Sequence, residues 1–481
     1  MELKHPSKIT FCLPVCLLLA AFVFPLQLSA QSKGDRVVVS ANVMTKIHDK
    51  RVGKVFSGQI DTVTETEGKW CALARTKGWL PIQYVMNLDM GERHFSSRIE
   101  DNKDDFDAWA IRGMIRFENE DFNDALRDLN ESIRLRQTNP VAFNNRGIIL
   151  NAMGRFGEAM QNLDHAIKLN ENYADAYENR GLVNAAMGRY DFAIKDYDKA
   201  IKLRSTNPWS FINRGSAKNN MGEFKDAKAD FMKALKLNKK ICDSYIGLSV
   251  ACLGEGDLEK ASRFAKLAVK RNPQNGLAFN QRGWTNYESG NFDEAIYDFT
   301  QAIRFEPKLY LPYSNRGICH SENRDFEEAV KDFTRSLNLN PQSPITYSNR
   351  GAAYMALKKY KKADEDLRKA VELAPELPDA TNRLAWFLAT CPNEKFRNGE
   401  EAVKFAEAAV EVSKSKEWSF LDTLAAAQAE NGQFDKAIET AKKALELAPE
   451  KSKEECKTRL VTFEEKEAFR SDFSKSIAEA S

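Results

Sequence analysis

Histidine is scarce in this chain. There are five among 481 residues (His5, His48, His94, His165 and His320), at unrelated places. No His-Glu-x-x-His pair occurs, so the helical face that carries catalytic zinc has no counterpart. A Gly-x-Ser-x-Gly elbow and a phosphate-cradling glycine loop are also missing, which removes the local signatures of acyl and phosphoryl transfer. Acidic residues are plentiful, but "NKDDFD" and "DEDL" lack the spacing of a calcium loop. The eight cysteines are scattered without a Cys-x-x-Cys pair, which argues against a zinc ribbon or a dithiol redox motif. They read as small apolar residues for a core. A surplus of charge of one sign is missing as well. Lys and Arg number 71 against 69 Asp and Glu, a formal +2, so nothing marks a nucleic-acid or anionic-membrane footprint. The expectation is a protein that is not an enzyme, holds no metal or cofactor and binds no nucleic acid.

Long apolar runs are confined to the N-terminus. Lys4 and Lys8 precede "FCLPVCLLLAAFVF", and "QLSA" precedes Gln31. A basic start, an apolar core and small residues before a cut after Ala30 describe an export signal over 1–30. The run from Phe11 to Leu28 is also long enough to span a bilayer if it is not removed. Pro14, Pro25 and the small residues before Gln31 favour removal. Cleavage leaves six cysteines (Cys71, Cys242, Cys252, Cys319, Cys391 and Cys456), no stable membrane span, and a periplasmic or extracellular location.

What the rest of the chain has is a period. Arg112, Arg146, Arg180, Arg214, Arg282, Arg316 and Arg350 recur at 34 residues or twice that, and a period of this length is read first as a solenoid. Units begin at Phe106, Pro140, Ala174, Pro208, Cys242, Gly276, Tyr310 and Pro344, filling 106–377, and two irregular units follow over 378–449. The eighth residue is small in each, as in Gly113, Gly147, Gly181 and Ser249. The twentieth is alanine throughout, from Ala125 to Ala437. Small residues there let two antiparallel helices approach, while bulky ones at positions four, eleven, seventeen and twenty-four fill the seam. Glycine at fifteen (Gly154, Gly188, Gly222, Gly256, Gly290 and Gly432) suits the left-handed residue that ends a helix. Pro273, Pro307, Pro341, Pro375 and Pro449 stop the second helix. A single hairpin cannot bury its faces, so the units stack.

This pattern resembles the tetratricopeptide repeat over roughly 105–450, and the resemblance implies a mainly α fold, a right-handed superhelix of about ten hairpins. The array and its "LAWFLATCP" ending are similar to exported repeat proteins of planctomycete-type bacteria. Phe95 falls where the twenty-fourth residue of a preceding unit would lie, so 91–105 reads as a capping helix. At the other end 450–481, with "EECKTRLVTFEEKEAFRSDF", reads as a C-terminal capping helix. The ninth unit carries five extra residues between Ala385 and Ala402, a lengthened turn.

Residues 33–90 differ in kind. β-branched and polar residues alternate around Gly53, Gly58, Gly68 and Gly78, which reads as about five short strands of a small all-β barrel. The "GKW…GWLPIQYV" ending resembles the bacterial Src-homology-3-like domain, with Gly78, Trp79 and Tyr84 on its closing strand. Trp70 and Trp79 read as core residues.

The repeats also serve as an internal alignment. Where the seventh residue is arginine, the twenty-third is Asp128, Asn162, Asp196, Asp230, Asp298, Asp332 or Asp366. Where it is leucine the twenty-third changes too: Leu248 goes with Phe264, Leu384 with Phe405 and Leu424 with Thr440. Joint change of this kind marks contact within one hairpin, so Arg112–Asp128, Arg180–Asp196, Arg214–Asp230, Arg282–Asp298, Arg316–Asp332 and Arg350–Asp366 read as structural ion pairs. Such pairs roughly break even against apolar ones, yet breaking one is costly.

The sixth residue points away from that core, since one step along a helix turns the side chain by about 100°. It reads Ile111, Asn145, Asn179, Asn213, Gly247, Gln281, Asn315 and Asn349. Asparagine is a mediocre helix former, so its repeated use wants a reason. In tetratricopeptide families positions two, five, six, nine, twelve and thirteen line the concave surface, and an amide there suits the backbone of an extended peptide. The other reading is that these amides bond to their neighbours. Ile148, Leu182, Trp284 and Ile318 at position nine add apolar spots. Asp107, Asp175, Asp243, Asn144, Glu178, Ile212 and Ser314 stand where a C-terminal-carboxylate clamp needs cations, which argues against that binding mode. The expected function is a non-catalytic scaffold that binds a protein or extended peptide in its groove. The alternative is an envelope module whose barrel binds peptidoglycan, with the repeats as a docking arm.

Overall fold

The computed structural model describes residues 85–473 apart from 415 and 416, together with the strand segments 36–39, 43–47, 50–55, 60–67, 70–73 and 79–81. The export signal read over 1–30 lies outside the described residues, as do Gly78 and Tyr84. By compactness the chain divides inside the helix Cys242–Gly254, one unit ending at Gly247 and the other beginning at Leu248.

The N-terminal strands are β1 (Arg36–Val39), β2 (Val43–Ile47), β3 (Lys50–Val55), β4 (Ile60–Glu67), β5 (Trp70–Leu73), β6 (Trp79–Pro81) and β7 (Val85–Asn87). They form an antiparallel sheet in the order β3-β2-β6-β5-β4-β1-β7. Five strands were read from alternation and seven are present, because β6 and β7 have three residues each and show no period to read. Val38 of β1 is fully buried against Leu88, Phe95, Ile99, Ala108 and Ile115. Gly91 permits that approach: a Cβ there would lie 2.3 Å from Val38 Cγ1. Arg36 pairs with Glu118 at 2.5 Å. The sheet is thus fixed to the start of the helical array.

That array holds twenty-two α-helices among the described residues. The capping helix spans Leu88–Asp101, started by the Asn87 side chain, which accepts from the Met90 N–H at 2.8 Å. Ten hairpins, repeats one to ten, follow from Phe106–Glu118 with Phe122–Leu135 to Trp418–Glu430 with Phe434–Leu447. The alanine at position twenty is fully buried in every one, from Ala125 to Ala437. Opposite it, Gly181 shows why position eight is small: a Cβ would lie 2.6 Å from the Tyr197 ring. Nine of the ten repeats turn through a left-handed residue at position fifteen, the exception being repeat nine with its lengthened loop. Six are the glycines read from sequence, with φ between 72° and 78°, and Glu120, Arg324 and Lys358 take the same backbone at φ 65°, 63° and 54°. The extra residues of repeat nine form a loop with a short 3₁₀ turn, Glu394–Phe396. Cys242, Cys252, Cys319, Cys391 and Cys456 are buried.

The stretch 450–481, expected as one helix, is helical over Lys453–Glu464 and then leaves it. Lys466 takes φ 59°, with Lys466 N–H donating to Phe463 O and Glu467 N–H to Thr462 O. This closure terminates a helix, and the chain continues as a non-helical tail to Phe473.

Candidate functional site

The arginine row is built from the first helices of repeats one to four and six to eight. Arg112 Nε and Nη2 each donate to an Asp128 oxygen at 2.8 Å. Arg214–Asp230, Arg282–Asp298, Arg316–Asp332 and Arg350–Asp366 repeat that two-pronged geometry, at 2.5–2.9 Å. Arg180 does the same with Asp196 at 2.6–3.2 Å. In repeat two the partner is an amide: Arg146 Nε donates to Asn162 Oδ1 at 2.6 Å. The aspartates are buried and the arginines partly so. Hydrogen bonds to Asp196 hold the Arg180 proton more tightly than usual, whereas burial loosens that of Arg146. The remaining nitrogen reaches the preceding hairpin: Arg180 Nη1 to Asp164 at 2.7 Å, Arg214 Nη1 to Asp198 at 2.5 Å and Arg146 Nη1 to Asn130 at 2.8 Å. The arginine therefore joins two helices of its own hairpin and one of the neighbour's.

The amide row also runs between repeats. Asn179 Nδ2 donates to Asn144 Oδ1 at 2.9 Å, and Asn144 Nδ2 donates to Asn145 Oδ1 at 3.3 Å. Asn213 Nδ2 donates to Glu178 Oε1 at 3.3 Å. Each inter-repeat donor stands at position six and its acceptor at position five of the repeat before. In the C-terminal unit Asn315 Nδ2 meets Asn280 Oδ1 at 3.0 Å in the same register, and Gln281 Nε2 meets Ser249 Oγ at 3.1 Å. Asn349 Oδ1 accepts from Arg383 at 3.1 Å. The amide nitrogens of Asn179, Asn213, Gln281 and Asn315 are thus committed to the array, while the oxygens of Asn179, Asn213 and Asn315 have no protein donor among the described residues.

Glu178 gathers more than Asn213. Asn207 Nδ2 at 2.7 Å and Ser210 Oγ at 3.0 Å donate to its Oε2, and Arg204 lies 3.7 Å away. Burial nonetheless pushes its carboxyl above the ordinary glutamate value. The first helices of repeats two to four also carry Val141 and Trp209, 44% and 42% exposed, with partly buried Ile148 and Leu182.

Tetratricopeptide repeat models match residues 174–207, 210–241, 311–343, 344–377 and 420–451, and a TPR repeat model matches 147–188. This chain is a tetratricopeptide repeat protein. No catalytic family is among the matching models. No curated protein matches the chain in sequence. Among solved structures it is similar to a tetratricopeptide repeat protein from Parabacteroides merdae, at 17% identity and TM-score 0.46, over 51% of this chain and 97% of that one. Yeast Tom70 is similar at 16% identity and TM-score 0.41, over 78% and 92%. The APC/C hetero-tetramer Cut9–Hcn1 is similar at 13% identity and TM-score 0.49, over 78% and 87%.

In the last repeats of this tetratricopeptide repeat protein the groove positions are covered by the chain's own tail. Phe469 lies 6.0 Å from the ring of Trp386, at position nine of repeat nine. Ser471 N–H donates to Thr390 O at 3.0 Å, and Arg470 reaches Glu430 at 2.7 Å. Phe473 is buried against Phe387 and Tyr360, with ring centroids 6.3 Å away in both cases. Ser471 and Phe473 are buried while Arg470 and Asp472 are exposed, the alternation of an extended strand. Arg383, at position six of repeat nine, carries no periodic signal in the sequence; it donates to Ser348 O and Asn349 Oδ1. Among the described residues no cluster of three His, Cys, Asp or Glu is placed to hold a metal, and no helix is long and apolar enough to cross a membrane.

Proposed function

We propose that this protein is an exported, non-catalytic scaffold that holds an extended segment of a partner protein along the first-helix face of its repeats. The observation that carries this reading is the tail. A segment with alternating buried and exposed side chains lies on positions nine, twelve and thirteen of repeat nine, held by two aromatic anchors, one backbone hydrogen bond and one ion pair. That is the chemistry by which a groove recognises an extended peptide.

In repeats two to four no segment of the described chain lies on the first-helix face. Val141, Trp209, Ile148 and Leu182 supply apolar area there, and the oxygens of Asn179 and Asn213 supply acceptors for peptide N–H groups. Asn145, Gln281, Asn315 and Asn349 extend the row. Export rests on the basic start, apolar core and small-residue cut of residues 1–30. The strand region is read as a Src-homology-3-like barrel, which keeps peptidoglycan as the alternative partner. A sacculus sedimentation assay on the full chain distinguishes the two.

The groove reading is tested by photo-crosslinking. A crosslinking side chain at position 209 is expected to capture one partner segment, mapped by mass spectrometry. One at position 192 serves as the control, since Phe192 is 59% exposed on a second helix. Equal capture at both positions, or capture at 192 alone, overturns the reading.

A further inference from the structure

The arginine row has one broken junction. Arg112, Arg146, Arg180, Arg214, Arg316 and Arg350 each give Nη1 an oxygen on the preceding element, at 2.5–3.1 Å. The acceptor lies sixteen residues earlier: Ser96, Asn130, Asp164, Asp198, Thr300 and Thr334. The residue sixteen before Arg282 is Lys266. Arg282 forks onto Asp298 as elsewhere, but its Nη1 has no acceptor among the described residues. A cation stands where every other such junction places an oxygen.

Lys266 is not alone. It lies on the second helix of repeat five, Leu258–Arg271, which lines a cleft of about 700 Å³ with Arg263, Lys270, Leu258, Leu267 and a single carboxylate, Glu259. Arg263, Lys266 and Lys270 are exposed, and none has an ion-pair or hydrogen-bond partner among the described residues. Some cations on other second helices are answered from their own helix, as in Arg127–Asp124, Lys331–Glu328 and Lys443–Glu439; what sets this helix apart is that one of its cations, Lys266, stands at an arginine junction. Three unanswered cations, next to an arginine short of one acceptor, repel one another and destabilise the free protein. An added anion relieves that repulsion, so anion binding is favoured at this junction over all the others.

We propose that this cleft binds an acidic segment of a partner protein, with a carboxylate taking the place that the Asp164 and Asp198 side chains fill at their own junctions. A carboxylate supplies the oxygen that the Arg282 Nη1 lacks and the countercharge that Lys266 lacks. Leu258, 37% exposed, and Leu267 in the same cleft fit an apolar side chain beside it. A peptide that alternates acidic and apolar residues meets both features, whereas a phosphodiester backbone meets only the cations. The surface belongs to a second helix, away from the position-six row, and is independent of what that row binds.

The test uses the full chain and a fluorescein-labelled peptide, Glu-Leu-Glu-Glu-Leu-Glu, followed by fluorescence anisotropy, with the Gln-for-Glu peptide and a single-stranded oligonucleotide as competitors. Lys266→Asp restores the acceptor that the other junctions have. It is expected to weaken the acidic peptide about tenfold or more while raising the melting temperature. Lys266→Ala is expected to weaken binding with the melting temperature unchanged or raised. The glutamine peptide is expected to bind at least about tenfold more weakly than the glutamate one. Unchanged binding by either variant overturns the proposal, as does a lowered melting temperature in Lys266→Asp. Tighter binding of the oligonucleotide or of the glutamine peptide overturns the assignment of the occupant.

Discussion

In repeat three, Arg180 meets Asp196 within its hairpin and Asp164 on the hairpin before it; in repeat two, Arg146 stands in the same place and meets Asn162 and Asn130. Nε and Nη1 are answered in both, but Asp196 also takes Nη2 and brings a charge, whereas Asn162 takes Nε alone. Repeat two therefore separates what the position requires, acceptors facing a fork of N–H groups, from what the aspartates add. The addition is visible in the protons: hydrogen bonds to Asp196 tighten the guanidinium of Arg180, while burial against amides loosens that of Arg146. Repeat five goes further and replaces the arginine by Leu248 and the acceptor by Phe264. Hairpins fold with a charged, a half-charged or an apolar seam, and in repeat five, where the arginine is lost, the buried carboxylate is lost with it.

The comparison breaks hardest at repeat three. Arg180→Leu leaves Asp196, 7% exposed, with Asn184 Nδ2 as its remaining donor. The expected loss is about 3 kcal/mol, the low end of the cost of stripping a buried partner, because Arg180 itself is a quarter exposed. Adding Asp196→Phe reproduces the pairing of repeat five and should recover most of that loss in thermal melts. Losses that simply add would show that the two side chains act independently.

Repeat two gives the converse experiment with a smaller effect. Asn162→Asp should bring its arginine to the state found in repeat three and gain about 1 kcal/mol. The gain is reduced because Asn162 Nδ2 now donates to Glu158 O at 2.8 Å, a bond that aspartate cannot make. A drop in melting temperature would show that this local bond outweighs the new charge.

The seam and the groove differ in how far the sequence reveals them. The contact between positions seven and twenty-three is legible because the array repeats it, and Leu248 with Phe264 exposes it by changing both sides at once. The third partner of each arginine is not legible, since its position holds Ser96, Asn130, Asp164, Asp198, Thr300 and Thr334, residues that share only an oxygen. The amides of position six stand out as letters, but their acceptors Asn144, Glu178 and Asn280 carry no common signal. Arg383 is hidden because repeat nine is irregular. The tail misleads for a different reason: its charged, periodic composition continues the helical pattern past Glu464, and Lys466 takes a left-handed backbone without the glycine that announces it elsewhere.

Glu178 gives the smallest and most diagnostic change, because it decides whether the amide row is held by charge or by hydrogen bonds. Burial raises its carboxyl above the ordinary glutamate value, so the folded state binds that proton more tightly than the unfolded chain does. The stabilising contribution is therefore complete below the ordinary glutamate range and lost as the pH rises through the raised folded value. At neutral pH the ionised carboxylate is a cost that Asn207, Ser210, Asn213 and Arg204 only partly offset. Glu178→Gln removes the titration. Its oxygen can keep Asn207 and Ser210, and Asn213 can turn its amide to accept from the new NH₂ group. The variant should equal or exceed the parent at neutral pH by up to about 1 kcal/mol, and the difference should vanish or reverse at acid pH. A constant deficit at every pH would instead mean that the ion pair with Arg204 supports the junction, and that repeats three and four are held by charge on both faces.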